Sequence, residues 1–110
     1  MKDNSLLKGA LSTLILKLLA DNGQMYGYEI IQKIKEVSAD QMKITEGALY
    51  PALHKLEEKG LLKSELRPVS GRTRKYYALS PKGEKATESK LDQLQEFLSS
   101  IQMVIQPKAN

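Results

Sequence analysis

Five cations, Arg67, Arg72, Arg74, Lys75 and Lys82, fall between Leu66 and Gly83 with no acidic residue among them. Side chains so concentrated suit phosphate, because a guanidinium offers a planar fork of donors and an ammonium a compact charge. Two arginines beside Gly71 can follow the backbone of a polyanion. The same run also fits a solvated hairpin whose charges keep an edge strand from aggregating. Other reactive residue types do not assemble. His54 is the only histidine and there is no cysteine, so neither an imidazole nor a thiolate metal set can form. Glu57 and Glu58 are adjacent on a helical stretch, point ~100° apart, and cannot share a proton or flank a bond. They read as a solvated face. No serine lies in a Gly-x-Ser-x-Gly turn. No catalytic machinery, metal or cofactor is expected.

The 110 residues are 41% hydrophobic, with 17 Lys and Arg against 13 Asp and Glu, a formal charge of +4. This describes one small folded domain rather than a disordered or collagen-like chain. The most apolar stretch, residues 11–20, includes Ser12, Thr13 and Lys17 and is half the ~20 residues a membrane span needs. A cytoplasmic protein without a membrane partner is expected. Charge is unevenly placed: residues 1–83 carry 14 basic and 9 acidic side chains, +5, and residues 84–110 carry 3 and 4, −1.

The elements that must position these cations follow from periodicity. Leu6, Leu7, Leu11, Leu14, Ile15, Leu18 and Leu19 recur at helical spacing over residues 4–21, with Asn4 or Ser5 as cap and Gly23 as stop. Ala10 and Leu16 widen that apolar arc, so this helix should touch a second surface, such as another subunit's, besides its own core. Tyr28, Ile31, Ile34 and Val37 predict a second helix over residues 26–37. After a turn at 38–44, Thr45 caps a third helix whose buried stripe is Leu49, Ala52, Leu53 and Leu56 and whose end is Gly60. Pro51 falls in its first turn and a half, where a missing N–H removes little. The period then changes to alternation over residues 62–67, a long loop is expected at 68–73, and Tyr76 to Leu79 alternate again. Ser80-Pro81 opens a last helix to about Ile105, in which Leu91, Leu94, Leu98, Ile101 and Ile105 follow the spacing of a heptad seam. The order helix, helix, turn, helix, hairpin is that of a winged helix-turn-helix, a mainly α fold with a small β hairpin (α+β), here plus a C-terminal dimerisation helix. The expected divisions are 1–80 for the DNA-binding domain, 81–106 for dimerisation and 107–110 for a tail.

Three stretches give the chain a close resemblance to the PadR-like family of bacterial transcriptional regulators: Met25-Tyr26-Gly27-Tyr28-Glu29-Ile30, the run from Glu46-Gly47-Ala48-Leu49-Tyr50-Pro51 to Gly60-Leu61-Leu62, and Gly71-Arg72-Thr73-Arg74-Lys75-Tyr76-Tyr77. The chain is similar to the family's smaller subgroup, in which one C-terminal helix packs on a partner subunit. The resemblance implies that the third helix enters the major groove of a double-stranded DNA operator while the wing tip lies along the flanking backbone or minor groove.

On that reading Thr45, Glu46, Gly47, Ala48, Tyr50 and His54 belong to the DNA face of the helix, and Arg72, Arg74, Lys75 and Tyr76 to that of the wing. Tyr50 suits a phosphate, with packing against the second helix as its alternative. Tyr76 and Tyr77 point to opposite faces of one strand, so one packs inward and the other faces out. A homodimer interface is expected from Leu7, Leu11, Leu91, Leu94, Phe97, Leu98, Ile101 and Ile105. The resemblance further implies a small hydrophobic or aromatic effector, for which Leu11, Ile15, Leu94, Phe97 and Leu98 are the candidate pocket; the same side chains also suit plain dimer core. The function expected is a sequence-specific repressor released by that effector, with a protein-interaction or RNA-binding winged helix as the alternative.

Overall fold

The computed structural model describes residues 5–108, and the capping role considered for Asn4 lies outside them. Chain order is α1 (Ser5–Asn22), β1 (Met25–Tyr26), α2 (Gly27–Val37), α3 (Glu46–Glu58), β2 (Leu62–Val69), β3 (Arg72–Leu79) and α4 (Pro81–Ile105). This is the winged helix-turn-helix with an added C-terminal helix that the sequence predicts.

Each boundary has a local cause. Gly23, with φ +82°, takes the left-handed conformation that ends α1. At the start of α2 the Glu29 carboxylate accepts the Tyr26 N–H at 3.0 Å, satisfying one donor that the helix itself leaves free. Thr45 Oγ1 accepts the Ala48 N–H at 3.2 Å and caps α3. That helix ends in a Schellman turn: Gly60 at φ +78° donates its N–H to the Glu57 carbonyl at 2.9 Å, and Leu61 donates to Leu56 at 3.0 Å.

The wing corrects the sequence reading. Instead of a long loop, residues 68–73 continue both strands and leave a two-residue turn, Ser70-Gly71, with φ of +48° and +76°. Positive φ at both positions is the type I′ geometry that matches strand twist, and a serine in the first of them hides the signal. Pro68 had suggested a loop. It is tolerated because β2 is an edge strand in the sheet order β1-β3-β2. β1 has two residues, too few to show a period, and pairs Met25 with Tyr77 and Tyr26 with Tyr76.

Ile15 and Leu16 of α1, Ile30 of α2, Leu49 and Leu53 of α3 and Tyr77 of β3 are fully buried in one core, each apolar side chain contributing roughly 1.5–3 kcal/mol. The start of α4 is fixed to the end of α3. Ser80 Oγ accepts the Gly83 N–H at 3.0 Å, the Ser80 N–H donates to the Leu61 carbonyl at 3.0 Å, and Lys82 Nζ donates to the Lys59 carbonyl at 3.1 Å. Gly83 is required there, since a Cβ would lie 3.0 Å from the Leu61 carbonyl carbon and closer still to its oxygen. Lys82 thus serves the joint between α3 and α4 rather than the tip of the wing. From Leu91 onward α4 leaves the core, and the molecule extends to 64 × 30 × 20 Å.

Candidate nucleic-acid interface

The N-cap and first two residues of α3 stand free of the core. Thr45, Glu46 and Gly47 are exposed and Ala48 is half-buried, so four successive positions offer a hydroxyl, a carboxylate, bare backbone and a methyl group. Pro51 is the sixth residue of the helix, far enough in to remove one bond. Without its N–H the Gly47 carbonyl lacks its i+4 donor, which corrects the expectation that this proline costs the helix almost nothing.

Tyr50 makes the contact with α2 given as its alternative. Its ring is half-buried against the core and covers Gly27 at the start of α2, where a Cβ would come within 2.8 Å of Tyr50 Cζ. Burial first, then the negative field of Glu46 and lastly Tyr77, push the Tyr50 hydroxyl above its ordinary value, so it remains a protonated donor. His54, one turn further along α3, is exposed.

Across from α3, the β3 cations have unequal freedom. Lys75 Nζ lies 3.6 Å from Glu57 Oε1 and 5.4 Å from the Tyr77 ring centroid, while Ser64 Oγ donates to Glu57 Oε2 at 2.6 Å. Glu57 therefore ties α3 to both wing strands and is not the merely solvated carboxylate its sequence position suggests. Arg74 lies over the Tyr26 ring at 4.3 Å. Arg72, beside the turn, is exposed and makes no ion pair among the described residues.

Between these elements runs an open groove of about 670 Å³, lined by Tyr26, Gly27, Tyr28, Tyr50, His54, Arg72, Thr73, Arg74, Lys75 and Tyr77. Among the described residues no carboxylate lines it. Five of the ten residues predicted to face DNA, Tyr50, His54, Arg72, Arg74 and Lys75, are brought together here, and Thr45, Glu46, Gly47 and Ala48 form the exposed start of α3 outside it. Tyr76 does not line the groove: it shares a sheet face with its cross-strand partner Tyr26, against which it is half-buried, while Tyr77 on the opposite face is the inward one. Tyr26 and the exposed Tyr28 were missed as site residues, although both lie in the Met25 to Ile30 stretch. Only the pairing of β1 with β3 brings them beside the wing.

The expected dimer and effector residues divide sharply. Leu7, Leu11 and Ile15 are 7%, 3% and 0% exposed inside the protomer's own core and have no free surface for a partner or a ligand. Periodicity cannot separate these roles, because α1 is apolar on several sides and α3 and α4 both pack on it. Leu91 and Leu94 are half-buried, whereas Phe97, Leu98, Ile101 and Ile105 are exposed. Among the described residues no helix is long and apolar enough to cross a membrane, and no acidic, histidine or cysteine cluster could hold a metal ion.

A three-helix core carrying a basic two-stranded wing, with a capped and exposed third helix, defines a winged helix-turn-helix of the nucleic-acid-binding kind. Residues 15–89 match the model of the transcriptional regulator PadR-like family, and the chain belongs to that family. It is 38% identical over 87 residues to the transcriptional regulator Rv3488 of Mycobacterium tuberculosis, covering 79% of this chain and 78% of that protein. Among solved structures, a transcriptional regulator from Clostridium thermocellum superposes with a TM-score of 0.84 at 29% identity, covering 96% of this chain and all of that one. A PadR-like transcription factor from Bacteroides fragilis gives 0.72 at 32% identity, covering 92% and 95% of the two chains. The role is regulatory rather than enzymatic.

Proposed function

We propose that the protein is a homodimeric, sequence-specific repressor that binds a double-stranded DNA operator, with residues 1–80 as its reading head and residues 81–106 as its pairing helix. The observation that carries this reading is the acid-free groove between α3 and β3, lined by Arg72, Arg74, Lys75 and His54 and flanked by the exposed start of α3. An α-helix is about 10–12 Å across with its side chains, close to the ~12 Å width of the major groove. With α3 in that groove, the wing cations stand beside the adjoining phosphates. Thr45 donates to a phosphate, Glu46 is suited to accept from cytosine N4, Gly47 lets backbone approach, and the Ala48 methyl suits thymine.

Pairing through α4 would set two such helices about one DNA turn, ~34 Å, apart. Its support is the exposed row of Phe97, Leu98, Ile101 and Ile105. Effector release is then a preference of the ligand for a dimer with a different helix spacing, so ligand and operator weaken each other by the same factor. Of the expected pocket only Leu94, Phe97 and Leu98 remain available to such a ligand.

The test is a gel shift with genomic duplex fragments, followed by footprinting and competition with random duplex DNA and duplex RNA. Protection of a short palindromic site that survives random competitor is expected. Equal affinity for RNA, or no protected site, would overturn the reading.

A further inference from the structure

Arg67 and Arg74 are directly opposed across β2 and β3, an arrangement in which like charges repel. The structure resolves the conflict diagonally. The Arg67 guanidinium lies 4.6 Å above the Tyr76 ring, and that of Arg74 lies 4.3 Å above the Tyr26 ring on the other side of β3. The two tyrosines are themselves cross-strand partners, edge to face with centroids 5.5 Å apart. The result is a four-membered stack crossing all three strands in the order Arg67, Tyr76, Tyr26, Arg74.

The ends of this stack differ. Arg67 is held by several groups: its Nη2 donates to Gln24 Oε1, and its Nε lies 3.5 Å from Glu65 Oε1. Arg74 has no ion pair among the described residues and, with Tyr26, lines the groove between wing and α3. Tyr76 and Arg67 do not line it. The stack thus fixes one arginine at its β2 end and presents the other to the groove.

We propose that Tyr26 is a positioning residue that holds Arg74 over the groove for a backbone phosphate, and that Arg67 is the anchored end of the stack and touches no nucleic acid. A face-on ring limits the rotamers of a long flexible side chain before binding, so less freedom is lost when the phosphate arrives. A ring without the hydroxyl does this equally well, since the interaction uses the π face.

This inference rests on the DNA reading above, and its test separates the two. Duplex affinity and its salt dependence are measured for the unmutated protein, Tyr26→Phe, Tyr26→Leu, Arg74→Ala, Arg67→Ala and the double variant Tyr26→Leu with Arg74→Ala. Tyr26→Phe should stay within about twofold of the unmutated protein. Tyr26→Leu should lose about 5- to 30-fold in affinity and up to ~0.9 in salt slope per protomer. Adding Arg74→Ala to Tyr26→Leu should cost little more, and Arg67→Ala should leave the slope unchanged. Independent, multiplying effects of the two substitutions would overturn the positioning role while leaving DNA binding intact; no binding by the unmutated protein would overturn both. Proton NMR of the unmutated chain tests the stack without DNA or a variant: the Arg74 side-chain protons should be shifted upfield by the Tyr26 ring, and unshifted resonances would overturn the proposal even if Tyr26→Leu fails to fold.

Discussion

The winged head and the distal half of α4 use similar apolar residues to opposite ends. In the head, Ile15, Leu16, Leu49 and Leu53 are fully enclosed by the chain itself, and the cations stand outside. Beyond Leu91, Phe97, Leu98 and Val104 are 61%, 55% and 84% exposed along the distal half of α4. Isolated exposed apolar side chains are ordinary, but a row of them along one helix marks an interaction surface. One end therefore completes its core within a protomer, and the other leaves apolar surface uncovered.

Substitutions that separate these two ends give the largest effects. Leu98→Glu should dissociate the dimer, a buried unpaired charge costing about 3–5 kcal/mol, while the head keeps its helical circular dichroism. Equilibrium ultracentrifugation checks this, and an unchanged dimer mass would mean that α4 is not the seam. Leu53→Ala should cost about 2–5 kcal/mol by denaturant titration through the cavity it leaves in the head, with a local rather than an assembly origin. At the joint between the ends, Gly83→Ala should cost roughly 1–3 kcal/mol, because the obstructing atoms are the Leu61 backbone and cannot swing away. Gly27→Ala should cost less, about 1 kcal/mol, since the obstructing atoms belong to the movable Tyr50 ring. That shift should also alter duplex affinity, because the ring lines the groove.

Most of the fold was legible in the sequence because helix periods, caps and stops agree: Thr45, Gly23, Gly60 and Ser80-Pro81 all mark real boundaries. The wing tip was not, because Ser70 occupies a position where glycine or asparagine would have announced a two-residue turn and Pro68 sits on a strand edge. In the candidate site, the α3 and β3 residues were visible as motif and charge, but Tyr26 and Tyr28 come beside them only through a two-residue strand. Leu7, Leu11 and Ile15 were indistinguishable from interface residues, since a helix apolar all round gives no sign of which face meets its own core and which a partner. Lys75 and Glu57 likewise pair through tertiary packing, invisible to spacing along the chain.

The central claim is that the groove between wing and recognition helix follows a phosphate backbone. The most direct measurement is the slope of log affinity against log salt for operator duplex, comparing the unmutated protein with Arg72→Ala plus Arg74→Ala. Each phosphate contact contributes ~0.9 to that slope, so loss of two arginines in each of two subunits should lower it by up to about 4, with specific and random duplexes weakened alike. An unchanged slope and affinity would show that the wing is free of DNA and would contradict the account.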